Sequence, residues 1–215
     1  MNQIRQTEKI VGILFILATA TYMSASIILG NLYDMPNYLK HIYPNKIQLI
    51  FAFFLEFINN MAVLGMGILL YRILKPLQEN AALWYFITRA IECIILIISG
   101  LGILILLPIS QEFIKTENSN LQILGKIARE WHSVTFEVAL FFTGISGLVL
   151  SFLLYAKKLV PTIISIVGIV GYTLIFGKSI ADIFGYETGT ILYMPGAIFE
   201  LVFPIYLIIK GLKNK

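Results

Sequence analysis

Six separate stretches of this chain are each long and apolar enough to cross a bilayer. A spanning helix needs about 20 mostly apolar residues, within roughly 17–25. The stretches run approximately over Ile10–Leu29, Ile47–Tyr71, Ala82–Leu107, Trp131–Tyr155, Thr162–Phe184 and Ile191–Ile209. In lipid, each segment has to satisfy its own backbone hydrogen bonds, which a helix does. The expected fold class is therefore all-α: a polytopic membrane protein with six transmembrane helices in one compact bundle.

Composition agrees. Of 215 residues, 58% are hydrophobic and only 13% are charged, and the mean hydropathy is +0.85. A soluble domain averages about 25% charged residues, so this chain has too little polar surface to cover a water-exposed globule. Low hydrophobicity, the mark of disorder, is absent. The one cysteine, Cys93, lies inside an apolar run and excludes a disulfide scaffold. The formal charge of +4 does not imply nucleic acid, because the basic residues sit in short loops beside apolar spans.

The first apolar run exceeds the usual signal-peptide core of about 7–15 residues, and no small-x-small cleavage site stands out before Asn31, so it reads as a retained span. The third run is interrupted by Arg89 and Glu92 and is the weakest of the six. Only Asn31–Lys46 and Pro108–Glu130 are polar segments of any length. The other connections are tight turns at Lys75-Pro76, Val160-Pro161 and Gly185, and no linker divides residues 1–215 into more than one domain.

Lysine and arginine in short loops set orientation. Arg5, Lys9, Arg72, Lys75, Lys157, Lys158, Lys210, Lys213 and Lys215 lie on one side, against Lys40, Lys46, Lys115, Lys126 and Arg129 in longer segments on the other. This asymmetry places both termini in the cytoplasm. Tyr71, Trp84, Trp131 and Tyr155 lie near span ends, where interfacial aromatics belong. Tyr71-x4-Pro76 after the second span has an echo in Tyr155-x5-Pro161 after the fourth. A parallel repeat of the transporter kind would produce that pattern, and so would ordinary turn chemistry.

The informative feature is the set of ionisable groups inside the spans: Glu56, Arg89, Glu92, Glu137, Lys178, Asp182 and Glu200. A charge at the bilayer centre costs at least about 2.5–3.5 kcal/mol, so such groups face a cavity or a partner. All sit at mid-depth or toward the outer side, which suggests one shared polar layer. Asn59 and Asn60 follow Glu56 at i+3 and i+4, on its face. Pro204 cannot donate to the carbonyl of Glu200 and leaves that acceptor free. Five acids face two bases, Arg89 and Lys178. In low dielectric so large an imbalance is untenable, so carboxyls stay protonated or a cation binds.

Several chemistries fail. Gly144-Ile145-Ser146-Gly147 matches the string around the serine of rhomboid proteases, but His132 lies at the other end of that span and His41 in a loop, so no base is at hand. Thr143, Gly147 and Ser151 read better as a small-residue packing stripe. Without H-E-x-x-H, a cysteine cluster, paired intramembrane histidines or a phosphate loop, no metal, haem or other cofactor is expected. His132 reads as an interfacial hydrogen-bonding residue and Cys93 as a small buried hydrophobe.

The opening Ile4-Arg-Gln-Thr-Glu-Lys-Ile-Val-Gly-Ile-Leu-Phe15 resembles that of the domain-of-unknown-function 4386 family of small bacterial membrane proteins. Arg89-Ala-Ile-Glu92, Leu159-Val-Pro161 followed by Gly168, and Met194-Pro-Gly-Ala-Ile-Phe-Glu200-Leu closing with Lys210-Gly211 carry the same resemblance along nearly the whole chain. It implies a bundle of about six spans in the bacterial cytoplasmic membrane, with Arg89, Glu92 and Glu200 at the family's polar positions. It implies no activity.

Three function classes fit the residues. The leading one is a protein that binds or moves a small cationic or polar ligand, or protons, at a site lined by Glu56, Asn60, Glu92, Glu137, Asp182 and Glu200, with Arg89 and Lys178 tuning their protonation. The second is a non-catalytic subunit, in an oligomer or beside a membrane partner, whose polar layer holds helices together. The third is an intramembrane enzyme using paired carboxylates on a lipid-derived substrate.

Overall fold

A computed structural model describes residues 2–186 and 188–213. Lys215, counted above in the orientation argument, lies outside the described residues. The helices are α1 (Asn2–Tyr33), α2 (Leu39–Ile42), α3 (Lys46–Leu74), α4 (Glu79–Thr116), α5 (Asn120–Ala156), α6 (Thr162–Ile183) and α7 (Met194–Ile209), with a 3-10 turn over Thr190–Tyr193 leading into α7. All but the short α2 are long and apolar enough to span a membrane, the 3-10 turn counting with α7. Arg89 and Glu92 leave α4 unbroken.

The six long helices form a closed ring. α1 packs on α3, α3 on α4, α4 on α5, α5 on α6, α6 on α7, and α7 returns to α1. Lipid tails are as apolar as leucine, so close backbone approach rather than apolar burial has to hold such a ring. Small residues provide it: a Cβ added to Gly171 would stand 2.5 Å from the Gly196 nitrogen, where α6 meets α7. Large apolar side chains such as Ile47, Trp84 and Ile163 point outward, onto the lipid-facing surface.

The ring closes with a latch at the end that carries both termini. Arg5 donates to the carbonyls of Leu207 (2.5 Å) and Ile208 (2.6 Å), capping orphan acceptors at the end of α7. The fully buried Glu8 accepts the Leu212 amide at 3.2 Å. Gly211 turns the chain between them at φ +77°, and a Cβ there would stand 2.6 Å from a Glu8 carboxylate oxygen. Only glycine combines that φ with that approach. Lys213 then donates its amide to the Leu159 carbonyl at 2.7 Å.

At the opposite end, the hairpin end, the structure corrects the sequence reading. Residues 108–130, expected as a polar connection, are helical except for a short turn around Asn118 and Ser119. Pro108 lies inside α4, which at 1.5 Å per residue is about 57 Å long against a hydrocarbon core of about 30 Å. The α4–α5 hairpin therefore projects past the short α6, and α2 packs against α4. Ser110 fixes that contact, donating to the Leu39 carbonyl and accepting the Tyr43 amide at 2.9 Å. Polarity alone suggested a loop; Ser110, Phe113, Gly125 and Ala128 recur on buried helical faces, and that periodicity prevails. Outside the spans, Lys40 bonds Glu117 at 2.5 Å and holds its carboxyl below the usual carboxylate range.

Two apolar cores result. One, at the termini end, gathers residues such as Phe15, Leu70, Leu154 and Phe203; the other, at the hairpin end, gathers Leu32, Ile42, Leu49 and Leu106. Between them lies a polar stratum.

Candidate functional site

The stratum occupies the gap that α1, α3, α4 and α5 leave between the two cores: Thr21 on α1, Glu56, Asn59 and Asn60 on α3, Thr88, Arg89, Glu92 and Ser99 on α4, and Thr143 and Ser146 on α5, all buried. Its ionisable groups are not all mutually bonded. They fall into three clusters stacked along α5 at His132, Glu137 and Thr143. Steps of five and six residues separate these by about 7.5 and 9 Å along the axis. At about 100° per residue, His132 and Thr143 share one face, while Glu137 looks about 140° away, toward α6.

The cluster nearest the hairpin end joins Glu56 to His132. His132 Nε2 lies 3.1 and 3.2 Å from the two carboxylate oxygens. The histidine is positioned by the tightest part of the α4–α5 contact, where Ser99 donates to the His132 carbonyl at 2.8 Å and Trp131 Nε1–H donates to the Ile98 carbonyl at 3.1 Å. A Cβ on Gly102 would stand 2.7 Å from the Ala128 carbonyl oxygen. Asn59 Nδ2 donates to Asn60 Oδ1 at 3.1 Å, so the asparagines pair with each other.

The second cluster joins α5, α6 and the 3-10 turn. Lys178 bonds Asp182 one turn on, and Thr188 donates to Asp182 Oδ1 at 3.0 Å. The Lys178 ammonium sits 4.7 Å above the Tyr193 ring centroid. The Tyr193 hydroxyl donates to Glu137 at 3.2 and 3.3 Å. Tyr22 of α1 lines the same region, stacked on Phe136 with ring centroids 5.1 Å apart.

The third cluster is the deepest. Arg89 donates from one nitrogen to both oxygens of Glu92, 3.0 Å each. Arg89 and Glu92 are 2% and 3% exposed. The guanidinium carbon lies 5.6 Å from the Tyr85 ring centroid, with Thr143 beside Glu92. From α6, the Tyr172 hydroxyl donates to Glu200 Oε1 at 3.1 Å, and Glu200 lies within electrostatic range of both Arg89 and Glu92. Arg89 Nε, its second terminal nitrogen and the Tyr85 hydroxyl are buried with no hydrogen-bond partner among the described residues. Buried donors of this kind call for an acceptor, and water or a polar solute supplies one.

Glycines seat this cluster. The Tyr172 ring lies where a Cβ on Gly147 would be, 2.2 Å from two of its carbons, and Gly67 leaves room for the Arg89 stem. The Gly144–Gly147 string is thus packing surface, with Ser146 donating to the Thr143 carbonyl.

The expected residues are accordingly distributed. Arg89 pairs with Glu92, with Glu200 in electrostatic range and bonded to Tyr172; Lys178 pairs with Asp182 and shares Tyr193 with Glu137; Glu56 meets His132, and Asn60 its neighbour. The four glutamates hold four different bonded partners. Tyr172, Tyr193 and Tyr85 were not among the sequence candidates, although a mid-span tyrosine carries a hydroxyl that needs a partner. The second signal was His132, a polar ring within a span that needs a hydrogen-bonding partner and finds it in Glu56. Two clefts of 520 and 470 Å³ lie elsewhere, and neither is lined by the four glutamates.

The sequence model of a family described as domain of unknown function (DUF4386) matches residues 10–211. No curated protein matches the chain, and neither does any solved structure.

Proposed function

This chain belongs to the DUF4386 family, and from that premise we propose that it is a multi-pass protein of the bacterial cytoplasmic membrane, both termini inside, whose polar stratum binds and passes a proton or small cation. The Arg89–Glu92–Glu200 cluster is its central station. One observation carries the reading: the buried Arg89–Glu92 pair has a second carboxylate, the half-buried Glu200, within electrostatic range and bonded only through Tyr172. With both acids ionised the cluster carries one uncompensated negative charge, which low dielectric does not tolerate. A proton or small cation neutralises it, and an exchangeable one makes the cluster a relay. Tyr172 hands a hydroxyl to Glu200, and the free donors of Arg89 and Tyr85 orient a water or solute between them.

The clusters at His132 and Thr143, on one face of α5, set the axis of the relay, from Glu56–His132 toward Glu92, with Glu137 on a branch toward α6. The test is flux. Wild-type protein in liposomes holding a pH-sensitive dye, driven by a potassium diffusion potential, is expected to acidify or alkalinise the lumen faster than empty liposomes. Glu200→Gln, equal in size and still able to hydrogen-bond, is expected to remove that difference.

A second reading, helix glue in an accessory subunit, is favoured by the bonds that cross between elements, Glu56–His132, Tyr172–Glu200 and Tyr193–Glu137. It is the outcome if Glu200→Gln leaves flux or ion binding unchanged while Glu200→Leu unfolds the protein.

A further inference from the structure

At the hairpin end, away from the stratum, a cleft of 520 Å³ lies between the α2 region, α4 and α5. We propose that this cleft holds the phosphate head of an anionic phospholipid, with its acyl chain running down the adjoining apolar wall. Lys126 and Arg129, one turn apart on α5, line it together with the single acid Glu130, for a local charge of +1. No carboxylate among the described residues pairs with either base. A basic pair without an acid partner is an anion site awaiting its counter-charge.

The Arg129 guanidinium is held between two aromatic faces, 4.7 Å from the Tyr33 ring centroid and 5.0 Å from that of Tyr38. Stacking fixes the plane of the guanidinium and leaves its edge for the two parallel bonds that a phosphate accepts. Tyr38, which lines the cleft, has a buried hydroxyl with no hydrogen-bond partner among the described residues. Gly125 lets that hydroxyl lie against α5, since a Cβ there would stand 2.8 Å from it.

Position and lining select a lipid over a free anion. Trp131, 49% exposed, marks the interfacial level on α5. Arg129 and Lys126 lie two and five residues beyond it, about 3 and 7.5 Å along the axis, within the headgroup layer. Leu39, Phe113 and Ile123 make the remaining wall apolar, and the exposed Ile127, one turn from Trp131 on α5, carries the apolar surface on toward the membrane. A free phosphate uses the bases and ignores that wall; an amphiphile uses both.

The test titrates full-length protein in neutral detergent with short-chain phosphatidylglycerol, phosphatidylcholine of the same chain length, and inorganic phosphate, reading bound ligand by native mass spectrometry. Phosphatidylglycerol is expected to bind at least tenfold more tightly than either comparison ligand. Lys126→Gln, at an exposed position, and Tyr38→Phe are each expected to weaken it several-fold, and Lys126→Gln with Arg129→Gln tenfold or more. Lys157→Gln with Lys158→Gln, at the termini end, is expected to leave it unchanged. Equal binding of phosphatidylcholine, equal binding of inorganic phosphate, or unaltered affinity in the Lys126/Arg129 pair overturns the proposal, as does equal loss in the Lys157/Lys158 pair.

Discussion

Replacing Gly147 by alanine puts a methyl group where the Tyr172 ring now lies. The added carbon would stand 2.2, 2.2 and 2.4 Å from three ring carbons, well over 1 Å inside the normal contact of about 3.5 Å. Those carbons belong to the near side of a fully buried ring, so no flexible tip can swing aside. Phe199, whose ring centroid is 5.5 Å from that of Tyr172, blocks retreat toward α7. Overpacking of this kind costs about 1–3 kcal/mol, and the rigidity on both sides places Gly147→Ala near the top of that range. At about 2–4 °C per kcal/mol for a chain of this length, the Tm should fall by about 4–12 °C. The assay is thermal unfolding in detergent of Gly147→Ala, Tyr172→Leu and the double variant. Tyr172→Leu removes the ring, so the two changes should be strongly non-additive, and alanine should cost little in the leucine background. An unchanged Tm in Gly147→Ala, or additive losses in the double variant, would refute the reasoning.

Arg89→Leu strands Glu92 and Glu200 without their cation and should cost about 3–5 kcal/mol, seen as a large Tm loss that Arg89→Leu with Glu92→Leu partly restores. Arg5→Gln gives up the charged cap on the Leu207 and Ile208 carbonyls; a loss of about 1–3 kcal/mol should appear as a lower Tm and faster carboxypeptidase digestion of the C-terminal segment. The Lys40–Glu117 pair is exposed and makes a small, salt-sensitive contribution. Because the folded-state value of Glu117 is lowered, that contribution is present above the ordinary carboxylate value of about 4.3 and disappears as pH falls through the lowered one. Wild type and Lys40→Gln should therefore differ in Tm at neutral pH and low salt and converge in acid.

The spans were legible because helices in lipid leave a long uninterrupted apolar record, and even Arg89 and Glu92 did not hide the third. The extension of α4 past Pro108 was hidden because proline and polar residues mimic a loop when the buried partners, Leu39 and Tyr43, are distant in sequence. The acids were legible one by one, since each is costly in a span. Their grouping was not: whether Glu137 faces Glu92 or Lys178 depends on the rotation of α5 in the ring, and a five-residue step from His132 turns it toward α6. Hydroxyl partners such as Tyr172 and Tyr193 look in a sequence like ordinary aromatic bulk, and the Arg5–Glu8 latch spans about 200 residues.

The central claim is that the Arg89–Glu92–Glu200 cluster holds one exchangeable positive charge, and infrared difference spectroscopy of the protein in lipid tests it most directly. With pH stepped in sodium-free buffer and then sodium added at fixed pH, the account predicts a protonated-carboxyl band that responds to one of the two steps. That band should be absent in Glu200→Gln or Glu92→Gln and retained in Glu137→Gln. A carboxyl spectrum that responds to neither proton nor cation, or a band unaffected by both Glu200→Gln and Glu92→Gln, would contradict it.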